Sequence, residues 1–172
     1  MKTIFYVAAI AIAWVLLFQM NMYLFSNFKH NLYTTWVFLP AGLRLVSMLL
    51  LDKIAILGLF IGTLIANNLI GIPLNHSIVL SFISAINPYL AVKFSKSLMK
   101  VDDMLSKLTA SNLIVMSLIS SLFNGIAQNF YIHGAGLSNK PLSDVLGMFM
   151  GDFLGCLIML YGLSIILKVF KK

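Results

Sequence analysis

The feature that most constrains this chain is a succession of apolar runs, joined by links as short as the dipeptide Asp52-Lys53. A helix of about 20 apolar residues crosses ~30 Å of hydrocarbon, and so short a link leaves two such helices only an antiparallel hairpin. The runs fall at about 3–25, 34–51, 54–72, 77–92, 108–132 and 145–167. The expected fold is therefore all-α, a polytopic membrane protein of about six transmembrane helices. Composition agrees: of 172 residues 60% are hydrophobic and 10% charged, whereas a soluble domain carries about 25% charged residues. No polar stretch long enough for a second unit remains, so residues 1–172 read as a single integral membrane domain.

The first run, 23 residues behind Lys2, reads as a retained helix. A cleaved signal is the alternative, because Ala11-Ile12-Ala13 resembles a processing site. The fourth run is the shortest and is expected to break near Asn87-Pro88, and the charged link 93–107 that follows it reads as a loop with some helix. With the amino terminus inside, the inner side carries Lys2, Lys53, Lys93, Lys96, Lys100, Lys107, Lys168, Lys171 and Lys172, against only Lys29 and Lys140 outside. That asymmetry predicts cytoplasmic termini in a bacterial inner membrane.

The net charge of +7 therefore faces lipid headgroups, and nucleic acid is not an expected partner. Cys156 is the only cysteine, so no internal disulfide is possible. All five acidic residues are aspartates. Without glutamate, an HExxH pair, a phosphate-binding loop or a nucleophile elbow, neither an enzyme nor a cofactor is expected. His30, His76 and His133 fall in or beside outer links at no fixed spacing, and a metal site is not expected from them.

Within the runs, polar residues are few and placed to one side. Pro40, Gly42 and Arg44 lie within five positions of the segment WVFLPAGLRL, which marks a helix break and a charge inside the bilayer. Arg44 lies ten residues from the outer start of its run and Asp152 eight from Asp144, so both sit ~12–15 Å below the outer surface. Asp152 is the only carboxylate deep within a run, and pairing with Arg44 or facing a water-filled cavity is the expected remedy. Asn67, Asn68, Asn124 and Gln128, with Gln19, Asn21 and Asn129, are skewed to the same leaflet. A pocket open to the outside needs such amides; the alternative is that they only tie helices together. Ala9 and Ala13, Gly58 and Gly62, and Gly147, Gly151 and Gly155 recur at spacings of four, which suits close internal packing.

The order of PAGLRL, IGTLIANNLIG at 61–71, ISAINPYLAVKFSKSL at 83–98 and GDFLG at 151–155 resembles the bacterial MASE1 integral membrane sensory domain. The resemblance covers most of the chain from Trp36 onward. It implies a multi-helix sensor that, in the family, precedes a cytoplasmic signalling domain. About six spans instead of about eight, and no output domain after Lys172, imply signalling through a separate protein. Pro40, Gly42, Asn67, Asp152 and Gly155 carry over as architecture. The chain also resembles, less closely, the substrate-binding S components of energy-coupling-factor vitamin transporters, in size, span number and the Ala9/Ala13 face. The expectation is thus a sensory or accessory subunit binding a small ligand or partner, with an S component or a structural membrane subunit as alternatives.

Overall fold

The computed structural model describes residues 2–102, 105 and 108–170. Lys107, Lys171 and Lys172, counted above on the inner side, lie outside the described residues. Among the described residues the protein is all-helical, with six α-helices, one short 3-10 turn and no strand beyond an isolated bridge between Lys29 and Thr35. Four helices are long and apolar enough to cross a membrane: α1 (Lys2–Leu24), α4 (Leu74–Met99), α5 (Ala110–Gly134) and α6 (Pro141–Phe170). Two are shorter, α2 (Pro40–Leu51) and α3 (Lys53–Leu69).

Two expected elements are corrected here. Run 34–51, expected to be a helix interrupted around Pro40 and Gly42, instead has Pro40 as the first residue of α2, and residues 29–39 are non-helical. Proline suits that position because its missing N–H has no partner to lose in the first turn of a helix. Run 77–92, expected to be short and broken, is a 26-residue helix that continues through Pro88 and takes in the first part of the charged link. Pro88 is buried among neighbouring helices, which hold the helix together where the backbone donor is missing. The helix stops at Lys100, whose left-handed conformation (φ 51°) turns the chain away.

Packing places the shortest helix at the centre. Helix α2 touches all five others and lies chiefly against α6. Around it α1 packs on α3, α3 on α4, α4 on α5 and α5 on α6. The α1–α3 contact uses two expected small residues, Gly58 against Ile10 and Gly62 against Trp14. The glycines of α6 do something else. They form a track for the non-helical chain entering α2: a Cβ on Gly151 would stand 2.0 Å from the Thr35 carbonyl oxygen, and one on Gly155 1.9 Å from that of Phe38. No side chain fits at either position, so backbone meets backbone there. The Phe38 N–H donates to the Gly151 carbonyl at 3.0 Å, and the Leu39 N–H to Asn21 Oδ1 at 2.8 Å. Groups freed by the missing helix are satisfied by the protein itself, as buried backbone requires.

Candidate functional site

Helices α2 and α6, held together by that glycine track, bring one charge from each into contact. Arg44 lies about one turn into α2, and its Nη1 donates to Asp152 Oδ2 at 3.0 Å. Asn124 of α5 donates to the same oxygen at 2.6 Å. Both charges are buried, Arg44 4% and Asp152 2% exposed. The guanidinium also lies against two aromatic rings, 5.3 Å from the centroid of Trp14 and 5.9 Å from that of Phe38, within the range of cation–π attraction. An isolated charge here would carry a desolvation cost of several kcal/mol. Mutual pairing, an amide donor and the aromatic faces offset it.

Beside this pair lies a cavity of about 90 Å³, several times the ~10–15 Å³ one water needs. Its floor holds Arg44, Asp152 and Asn124, and its walls are largely apolar, from Trp14, Phe18 and Phe38 to Leu80 and Ile132. The loop after α1 adds Lys29, Leu32, Tyr33, Thr34 and Thr35 to its lining. Burial raises the Tyr33 phenol above its ordinary value and the nearby Tyr131 adds to the shift, so Tyr33 stays a neutral hydrogen-bonding group there.

The lining is not satisfied by protein alone. Asn67 Nδ2 donates to Ser81 Oγ at 3.3 Å and Gln128 Nε2 to the Leu80 carbonyl at 3.0 Å. Six other buried polar atoms of lining residues have no hydrogen-bond partner: Trp14 Nε1, Thr34 Oγ1, Arg44 Nε, Thr63 Oγ1, Ser84 Oγ and Asn124 Oδ1. Native proteins leave few such atoms unpaired, because each costs about 1–3 kcal/mol. All six belong to residues that line one cavity.

Of the residues expected to form a site, the structure brings together Arg44, Asp152, Asn67, Asn124 and Gln128. Asn68 is excluded: it is exposed on the far side of α3 and turns its amide back onto the Leu64 carbonyl of its own helix. One residue along a helix is a rotation of about 100°, enough to separate neighbouring amides. Pro40 and Gly42 do not line the cavity either. Gly42 instead lets α2 approach Met159 of α6. Sequence reasoning missed Trp14, Phe38, Thr63 and Ser84, which are unremarkable residues in apolar runs. Their one available signal was depth, since Trp14 and Phe38 bracket Arg44 only once α1 and α2 are docked. Comparison with protein-family models, with curated proteins and with solved structures yields no match for this chain.

Proposed function

We propose that the protein is a receptor subunit of a bacterial inner membrane, MASE1-like in plan, that binds a small ligand in a pocket opening to the outside and relays binding to a separate protein. In this reading the chain makes six crossings with both termini in the cytoplasm, α2 and its non-helical approach together forming the second. The lysine asymmetry supports that orientation, and the cavity then lies toward the outer surface. The observation that carries the reading is the set of six unpartnered polar atoms around one cavity, with Arg44 Nε among them.

Arg44 can keep Nη1 on Asp152 while offering Nε to an acceptor oxygen of the ligand, and Trp14 Nε1 offers a second donor nearby. The apolar walls suit a ligand with a hydrocarbon or ring body. A ligand oxygen that draws the guanidinium away from Asp152 weakens the tie between α2 and α6, and a displaced α6 is the signal to the partner. The pair's charges cancel, so a ligand bearing one carboxylate or a neutral carbonyl group fits better than a cation.

The test is a thermal-shift screen of the purified protein against amino acids, vitamins, short carboxylic acids and inorganic anions. A ligand that binds raises Tm in proportion to its concentration above Kd. Replacing Thr63 by Val and Ser84 by Ala together removes two unpartnered hydroxyls with little change of volume, and is expected to leave the protein folded and abolish the shift. If no compound shifts Tm and the chain is stable only with a copurifying membrane protein, it is a structural subunit. A second reading, an S component of a vitamin transporter, is favoured by one observation: Ala9 is exposed on α1 instead of packed inside. Tight binding of a vitamin and copurification with a coupling ATPase complex distinguish that reading.

A further inference from the structure

Helix α1 presents a regular packing face that the rest of the bundle leaves uncovered. Its inward side buries Ile10, Ala11, Trp14, Phe18 and Asn21, and among the described elements it touches only α3, α2 and the turn that follows it. On the opposite side stand Phe5, Ala9, Ile12, Leu16, Gln19 and Tyr23, all exposed, at alternating spacings of four and three. Phe5, Ile12 and Gln19 therefore recur every seven residues, and so do Ala9, Leu16 and Tyr23. A seven-residue repeat over two helical turns is the pattern with which two helices wind around each other and keep one seam in contact.

Hydrocarbon covers the apolar members of this seam at no cost, but Gln19 is an amide. Tyr6 and Tyr23, near the two ends of α1, suit the aromatic belts at the headgroups. Gln19 lies four residues, about 6 Å, further into the helix than Tyr23. Side chains of a helix lean toward its N-terminus, so Gln19 leans away from the nearer surface. It is exposed and has no hydrogen bond to any of the described residues. Asn68, the exposed amide of α3, differs in donating to the Leu64 carbonyl of its own helix at 2.7 Å. An amide left open to lipid carries a desolvation cost, which a hydrogen bond to a neighbouring helix removes.

The chemistry of the seam selects the neighbour. Two copies of one chain inserted in the same direction pair about a two-fold axis along the membrane normal, which sets each seam residue against itself at one depth. A lysine so placed would offer only donors and an aspartate only acceptors, whereas a carboxamide has both. Two Gln19 side chains thus satisfy each other, and one polar layer in an apolar seam fixes its register. Ala9, small and in the same seam, lets the helices approach. We propose that α1 is a homodimerisation helix, which joins two copies of this chain along the Phe5–Tyr23 seam with the two Gln19 amides hydrogen-bonded at the interface. Trp14, on the inward side of the same helix, lines the cavity, so α1 alone separates that cavity from the second copy.

Disulfide trapping of the full-length chain in lipid vesicles tests this pairing. In a Cys156→Ala background, single cysteines are placed at two neighbouring pairs: Ile4→Cys against Phe5→Cys, and Leu24→Cys against Tyr23→Cys. Exposure does not separate the members of a pair, at 75% and 70% for Ile4 and Phe5 and 56% and 85% for Leu24 and Tyr23, but a rotation of about 100° does. Mild oxidation is expected to link dimers at Phe5→Cys and Tyr23→Cys and to leave Ile4→Cys and Leu24→Cys largely unlinked. Fluorescence energy transfer between two labelled populations then gives the protein-to-lipid ratio at half-dimerisation. Gln19→Leu is expected to raise it about three- to thirtyfold, as loss of an interhelical hydrogen bond requires, and Gln19→Asn, which keeps the carboxamide, to raise it less. Equal linking within each pair, or an unchanged dimer in Gln19→Leu, overturns the proposal. So does a chain that stays monomeric in vesicles and is linked in cells at Phe5→Cys and Tyr23→Cys to a different protein, a result that gives the face to a hetero-partner. Neither measurement involves a ligand, so the receptor reading stands or falls separately.

Discussion

Asp144 and Asp152 stand on one helix, eight residues and about 12 Å apart, both almost wholly buried, and the protein treats them in opposite ways. Asp152 is paired with a guanidinium, which does not release its proton, and with the amide of Asn124. Asp144 is bracketed by two histidines, each about one-fifth exposed, with an amide and a serine hydroxyl. Asp152 thus has a fully charged, buried partner, and Asp144 has partly exposed rings, an amide and a hydroxyl. Burial explains the division. Where both partners are wholly buried a lost counter-charge leaves an ion without water, while beside partly exposed rings water can take a departing partner's place.

The contrast breaks most visibly at the inner pair. Asp152→Ala strands Arg44 in the core and is expected to cost about 3–5 kcal/mol in stability, measured by SDS unfolding in mixed micelles. Arg44→Ala is expected to be similar, and the double change to cost less than the sum, since each single change leaves a partner unpaired. Additive costs would show that the two charges are not coupled. Asn124→Ala, which removes the 2.6 Å bond to Asp152, is expected to cost about 1.5–3 kcal/mol by the same measurement.

A pair of glycine changes on the same helix tests the packed track against an open stretch. Gly155→Ala drives a methyl group into the Phe38 carbonyl, where the gap is 1.9 Å, and is expected to cost about 1–3 kcal/mol. Gly162→Ala meets nothing within 4 Å and is expected to be neutral or stabilising by up to about 1 kcal/mol, from helix propensity alone. Equal effects at both sites would mean that the 34–39 segment does not lie on α6. At the outer carboxylate, Asp144→Asn is expected to cost only about 0.5–1.5 kcal/mol at pH 8, because its partly exposed partners can be hydrated. A cost as large as that of Asp152→Ala would erase the distinction between the two. Smallest of all, Asn68→Ala is expected to change stability by less than about 0.5 kcal/mol.

Much of the architecture was legible from apolar run lengths, because a bilayer admits few structures other than helices. The reading failed where a run's apolar character hid its conformation. Residues 34–39 are apolar enough to pass for helix, and only the Gly151 and Gly155 track and the Asn21 side chain make an extended path possible there. Pro88 misled in the other direction, since tertiary contacts carry the helix past it. The site was half legible. Arg44 and Asp152 stand out because charge inside an apolar run needs a partner, and counting residues from the run ends placed them at one depth. Asn67 and Asn68 look alike in sequence, and only the docking of α3 against α4 separates lining residue from exposed one.

The order of the residues alone determined that the chain is built of apolar helices, and that one arginine and one aspartate had to be reconciled among them, because hydrocarbon tolerates neither open backbone nor lone charge. The tertiary structure decided what surrounds them. Whether an aromatic ring flanks a guanidinium, which amide turns inward and which histidine meets Asp144 depend on helix rotation and on contacts between residues more than a hundred positions apart, and no local pattern encodes those.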